Sequence, residues 1–166
     1  MNIELRELSL KDGEEVFNML KEMPAVSNGF YNTGYGISRD EFSSYLTENY
    51  NCSKGIGLKE GYVPQTMYWL YIDGEIVGMG KLRHYLTDAL RKEGGHIGYG
   101  LLPKEIGKGY GNIILRELLK EAKKIGIKEA LLTCNTDNIP SKKVIERNGG
   151  TLQDTFEDHY RYWIEL

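Results

Sequence analysis

The chain has 166 residues, 40% hydrophobic and 27% charged, the balance of a single globular domain with its own core. A formal net charge of −3 argues against a general electrostatic grip on nucleic acid, which rests on clustered Lys and Arg. No apolar run is long enough to span a membrane, and MNIELRELSL lacks the basic flank and apolar block of a signal peptide. Cys52 and Cys134 have neither metal nor redox spacing, so the chain reads as a cytoplasmic protein with free thiols, no metal and no membrane partner.

Residues 2–8 alternate apolar and polar, the pattern of a strand. Ser9 is the expected cap of a helix over 10–22, where Val16, Met19 and Leu20 share a face. The glycine-rich PAVSNGFYNTGYG that follows reads as irregular. Ser38 and Glu41 have capping-box spacing and open a helix near 39–49, after which NCSKGIGLKEGYVPQ reads as a long loop of the kind that carries function. MYWLYI (67–72) and EIVGMGKLRHYL (75–86) flank Asp73-Gly74, a dipeptide favoured in tight hairpin turns. Residues 96–102 form a further strand. The helix over 110–125 sets Leu115, Leu118, Leu119, Ala122 and Ile125 on one stripe. A buried strand at 129–135, a helix over 138–148 capped by Asn138 and closed by Gly149, and strands at 151–156 and 159–165 complete the chain. The fold class is therefore α+β in three layers: a mixed, mostly antiparallel sheet of about seven strands with about four helices. One βαβ unit, 96–135, should place a parallel pair at its centre.

Between strand 96–102 and helix 110–125 lies IGKGYGN. Gly107, Gly109 and Gly111 alternate at the mouth of a helix, where free backbone N–H groups and the macrodipole favour an anion. A bare backbone can wrap a phosphate or pyrophosphate there, and Lys104 and Lys108 add positive charge. A Walker A loop would need Ser or Thr after Lys108, where Gly109 stands. A dinucleotide fingerprint would need glycine at Ile114.

These residues resemble the GNAT superfamily of CoA-dependent N-acetyltransferases. Gly109-Tyr110-Gly111 match the last three positions of its phosphate loop, [RQ]-x-x-G-x-[GA], with Ile106 at the first. Asn138, Ser141 and Gly149 fall in register with N-x-x-[AS]-x-x-x-Y-x-x-x-G, with Ile145 in place of the tyrosine. The order of elements agrees over nearly the whole chain. The resemblance implies acetyl-CoA as co-substrate, its pyrophosphate held at Lys108, Gly109, Tyr110, Gly111 and Asn112, with contacts from Asn138 and Ser141 and candidate charges at Lys142 and Lys143. Its pantetheine arm would run along the main chain near Tyr99, Leu101 and Leu102, in a split between strands 96–102 and 129–135. A backbone N–H there would stabilise the oxyanion.

Direct transfer needs an uncharged amine, so a base is required, and His96 stands where many members carry a glutamate. Tyr99 is a second candidate for moving protons. Ile145 cannot protonate the leaving thiolate as the usual tyrosine does. Cys134 as a covalent nucleophile ranks below Cys134 as a buried thiol. Residues 24–37 and 51–66, with Phe30, Tyr31, Asn32 and Arg39, lie where the family builds its acceptor site. Tyr31, Tyr35, Tyr62, Tyr68 and Tyr71 are candidate pocket tyrosines. The reading is an N-acetyltransferase acting on a small-molecule or peptide amine in a ternary complex. The alternative is a CoA-binding regulatory module that has lost catalysis, and a third class is a nucleotide-binding regulator. Net acidity favours a cationic amine. The resemblance also implies a homodimer.

Overall fold

In the computed structural model, which describes residues 1–166, β1 (Ile3–Glu7) leads to α1 (Glu14–Glu22), a two-residue hairpin of β2 (Val26–Ser27) and β3 (Phe30–Tyr31), and α2 (Arg39–Ser53). β4 (Gln65–Ile72) and β5 (Glu75–Arg83) follow, then α3 (Asp88–Lys92), β6 (Ile97–Leu101), α4 (Tyr110–Lys124), β7 (Glu129–Asn135), α5 (Ile139–Arg147), β8 (Thr151–Phe156) and β9 (His159–Glu165).

Apart from the β2–β3 hairpin, the strands form two antiparallel sheets, ordered β1-β4-β5-β6 and β7-β9-β8. Asp73 and Gly74 both take left-handed backbone, φ 50 and 84, and close the β4–β5 hairpin as the Asp-Gly pair predicts. β4 is buried from Thr66 to Ile72 because helices cover both faces of its sheet. Its side chains alternate between two cores: Leu70 and Ile72 join Leu115, Leu118 and Ala122 of α4, whereas Trp69 and Tyr71 join Val16, Met19 and Leu20 of α1.

The caps explain most helix boundaries. Ser38 and Glu41 form the expected reciprocal box, and Asn138 accepts a hydrogen bond from the Ser141 N–H at 3.3 Å. α1 starts later than expected, with Gly13 as its cap. The Ser9 hydroxyl instead accepts from the Lys11 N–H within a turn closed by Asp12, whose carboxylate also accepts from Trp69 Nε1 at 2.8 Å. Ile125 is 48% exposed rather than on the buried stripe, because the helix ends before it and Ile125 is the cap. Residues 26–31 are not irregular, and α2 takes the first residues of the expected 51–66 loop.

Candidate active site

The expected parallel pair at the centre is absent: β6 and β7 belong to different sheets and are joined only by a short junction. The His96 N–H donates to the Leu131 carbonyl at 2.8 Å, and the Leu131 N–H donates to His96 Nδ1 at 2.9 Å. The Gly94 N–H donates to Thr133 Oγ1 at 2.9 Å. Gly95 stands at φ 61, and a Cβ on it would collide with the Leu131 carbonyl, so only glycine permits so close an approach. The junction lies just before β6 and at Leu131–Thr133 within β7, and β6 and β7 themselves form no ladder. They splay, and a cleft of about 880 Å³ opens between Gly98–Leu101 and Leu132–Asn135.

The β5–β6 register sets what faces this cleft. Leu102 donates to Val77 and Arg83 donates to His96. The antiparallel alternation between those two bonds turns the main-chain groups of Tyr99 and Leu101 away from β5, toward the opening. Side chains alternate as well. Gly80 and Tyr99 are paired and face α4, where Leu118 lies over Gly80; Lys81 and Gly98 are paired and face Phe30 of the β2–β3 hairpin. The cleft therefore passes through the sheet and has two mouths.

The first mouth is formed by the glycine loop and α5. Gly107 and Gly109 stand at φ 87 and 84, and the positions their Cβ atoms would occupy have nothing within 4 Å. Gly109 caps α4 without a side-chain hydrogen bond, leaving the first-turn N–H groups free. Gly109, Tyr110, Gly111, Asn112, Asn138 and Ser141 all line the cleft, with Lys143 and Arg147 of α5 beside them. Main-chain donors, open space and two cations fit a pyrophosphate. Lys108 does not line the cleft and pairs with Glu105 at 3.0 Å; Lys104 approaches Glu22 at 3.9 Å, and Lys142 approaches Glu146 at 3.6 Å. Leu102 is buried in the core on the α1 side, whereas Leu101 lines the opening.

Tyr99 sits deepest. Its hydroxyl is fully buried and has no hydrogen-bond partner. Burial pushes its pKa above the usual tyrosine value, in surroundings that include Ser141 and Cys134. Burial also raises the Cys134 thiol. Ile145, at the family's tyrosine position, is 1% exposed and belongs to the core.

His96 is not brought together with these groups. It is 6% exposed and does not line the cleft, and its Nδ1 is occupied by the Leu131 N–H. Burial, with Arg91 and Arg83 nearby, pushes its pKa down to about 4. His96 lines instead a separate, open depression of about 640 Å³ together with His84, Trp163 and Leu166.

The second mouth is walled by Ser27–Tyr31, Lys81, Arg83, Leu90, Glu93 and Gly94, with Asn135 and His159 opposite. A Cβ on Gly100 would press within 2.9 Å of the Phe30 ring, so that glycine lets the hairpin dock against β6. Of the five candidate tyrosines only Tyr31 lines the cleft, and no residue of 51–66 does. Asn32 is structural: its side-chain amide donates to the Leu20 and Met23 carbonyls. Arg39 lies over Phe17 and pairs with Glu14. Lys81, Arg83 and Arg147 carry no local signal in the sequence that marks them as part of a site, and His159, which has no metal spacing there, also lines the cleft.

A split sheet with a glycine-capped helix at one mouth has the shape and donors that fit an extended, phosphate-bearing ligand between two strands. The family model of the acetyltransferase (GNAT) domain matches residues 2–151, and the chain belongs to the GNAT family of acetyl-CoA-dependent acetyltransferases. Among similar solved structures is RimL, a ribosomal L7/L12 alpha-N-protein acetyltransferase in complex with coenzyme A that is disulfide-bonded to one of its cysteines. It is 20% identical with a TM-score of 0.70, over 100% of this chain and 95% of that one. The N-acetyltransferase PseH of Campylobacter jejuni, in complex with acetyl coenzyme A, is 14% identical with a TM-score of 0.64, over 99% of each chain. A chimera of spermidine N-acetyltransferase SpeG from Vibrio cholerae and hSSAT is 14% identical with a TM-score of 0.66, over 99% of this chain and 96% of that one. At these identities the likeness shows the fold. No curated protein matches the chain in sequence.

Proposed function

We propose that this chain transfers acetyl from acetyl-CoA directly to a primary amine, with both substrates bound in the through-sheet cleft. The observation that carries the reading is the unpaired edge of β6, with the partnerless Tyr99 hydroxyl beside it. The pyrophosphate of the co-substrate takes the glycine loop and α5, and its pantetheine arm follows the free main-chain groups of Tyr99 and Leu101. The amine enters from the β5 mouth.

When bound, acetyl-CoA supplies the activated acetyl group; the protein orients it and manages protons. Tyr99 is the proton donor to the leaving sulfur, in place of the tyrosine that Ile145 replaces. Its raised pKa keeps it protonated at neutral pH, as an acid must be. The bond from sulfur to the acetyl carbon breaks as the bond from nitrogen forms; the sulfur takes the Tyr99 proton, the nitrogen gives up one proton at its own mouth, and Tyr99 regains a proton from solvent once the products leave. Glu93 and His159, 3.2 Å apart, are the groups at the amine's mouth suited to receive that proton. His96 joins the strands and is no base. Cys134, the only cysteine lining the cleft, stays a thiol because burial raises it, and a thiol is a poor nucleophile. That favours direct transfer over an acyl-enzyme. The disulfide between coenzyme A and a cysteine of RimL supports a cleft cysteine standing within reach of the cofactor sulfur here too.

The test is calorimetric titration of acetyl-CoA and CoA into wild type and Gly109→Glu, with ATP as comparator. Glutamate puts bulk and negative charge into the space meant for pyrophosphate, and it strains a left-handed position. Micromolar binding that vanishes in the variant supports the reading; equal binding in both, or preference for ATP, overturns it. The second reading, a CoA-binding module, rests on Ile145 lying in the core. Tight CoA binding with no turnover on any amine would favour it.

A further inference from the structure

Cations are concentrated in the cleft of a protein whose net charge is negative. Lys81, Arg83, Lys143 and Arg147 line it, against Glu93 as its only carboxylate. Lys143 and Arg147 belong to α5 and the phosphate-binding mouth. Lys81 and Arg83 do not: they alternate along β5 on the face that carries Phe30, about 7 Å apart along the strand.

Neither has a carboxylate partner. Lys81 is 8% exposed; its ammonium makes one hydrogen bond, donating to the Tyr31 carbonyl at 2.6 Å, and lies 4.9 Å from the Phe30 ring centre. Arg83 Nη1 donates to the Gly94 and Gly95 carbonyls at 3.2 and 3.1 Å, which leaves the edge formed by Nε and Nη2 unused. Glu93 is bonded to His159 and forms no ion pair with either. Buried charges are ordinarily paired, because desolvation is otherwise uncompensated. The cost shows in Lys81, whose pKa burial and Arg83 lower to about 8. An oxyanion between the two side chains would meet the free ammonium donors and the two-pronged guanidinium edge together.

We propose that Lys81 and Arg83 form an oxyanion subsite at the amine's mouth, so that the substrate is a small primary amine carrying a carboxylate close to the nitrogen. The assignment of this mouth to the amine rests on the proposed function; the pair's affinity for an anion does not. Closeness follows from the register, since Lys81 is paired with Gly98, the neighbour of Tyr99. A polyamine is disfavoured, because its cations would meet two uncompensated cations. The local field thus runs opposite to the cationic amine that net acidity suggests.

Two measurements test this. Crystals soaked in bromide are searched by anomalous scattering, with a peak expected between Lys81 and Arg83; bromide bound only elsewhere overturns the subsite. Acetylation is then followed by CoA thiol release on a panel of α-amino acids, their carboxamides, O-phosphoethanolamine and spermidine. Wild type should prefer carboxylates over carboxamides at least tenfold in kcat/KM. The preference should fall below threefold in Lys81→Met and survive in Lys81→Arg, with acetyl-CoA affinity unchanged in both. Carboxamides or spermidine used as well as the acids would overturn the proposal, and O-phosphoethanolamine as the best substrate would replace carboxylate with phosphate. If acetyl-CoA does not bind, the transferase reading falls and the bromide result alone decides the anion subsite.

Discussion

Replacing His96 with alanine tests whether this residue joins strands or moves protons. In the native fold His96 Nδ1 accepts a buried N–H from Leu131, which requires a neutral ring. Burial, with Arg91 and Arg83 nearby, depresses its pKa from the ordinary 6.5 to about 4. The unfolded state takes up the proton first, so the stabilisation is complete above about pH 6.5 and is lost as pH falls toward 4. Full titration corresponds to roughly 3 kcal/mol. Between pH 7 and 5 the linkage gives about 2 kcal/mol, and solvent screening lowers this toward about 1. At pH 7 the alanine variant leaves the Leu131 N–H without a partner, at a cost of about 1–3 kcal/mol. Urea unfolding followed by tryptophan fluorescence, at pH 7 and 5, measures both. The gap between wild type and His96→Ala should narrow by about 1–2 kcal/mol at the lower pH, and other titrating groups, His84 among them, cancel in the comparison. Parallel pH dependence in the two proteins would refute the junction argument. A loss of kcat by roughly 10²–10⁴, with stability and acetyl-CoA binding intact, would return His96 to the role of base.

Tyr99→Phe should lower kcat roughly 100-fold at neutral pH with little change in the KM for acetyl-CoA, and flatten the high-pH limb of the rate profile; unchanged turnover would remove Tyr99 as acid. Gly95→Ala should cost roughly 2–4 kcal/mol, because it combines a left-handed backbone with a collision at the Leu131 carbonyl. Thermal unfolding would read this as a fall of about 5–12 °C, and a change within about 2 °C would contradict so tight a junction.

The sequence declares its elements where chemistry is local. Asp73-Gly74, the Ser38–Glu41 box and the Asn138 cap each act within four residues, and the structure keeps all three. The glycine loop is legible for the same reason, since helix and anion-binding mouth are adjacent in sequence. Local signals mislead where a distant partner intervenes. Ser9 looks like a cap until Asp12, held by Trp69 Nε1, takes over the turn. His96 looks like an available imidazole until Leu131, 35 residues away, occupies its Nδ1. Lys81 and Arg83 are the sharpest case. Alternation in GKLRHYL reads as a strand with solvated charges, because lysine is ordinarily outside. Only the hairpin at Phe30 and Tyr31, some fifty residues upstream, buries Lys81, and nothing in the strand itself announces it.

The same hairpin explains why one cleft can serve two ligands of different chemistry. IGYGL presents two faces: Gly98 and Gly100 receive Phe30 on one side, while Tyr99 points to α4 and α5 on the other. The strand thus separates a mouth rich in main-chain donors from a mouth whose two cations come from β5. Because β7 leaves β6 immediately after the His96–Leu131 junction, the two compartments meet at the free edge beside Tyr99. Closing that edge with a regular ladder would satisfy more backbone groups and destroy the passage. The fold instead ties the strands only at the residues just before β6, with a histidine that must stay neutral and a glycine that nothing else can replace. The passage therefore depends on the junction, and weakening the junction is expected to affect both substrates together rather than either one alone.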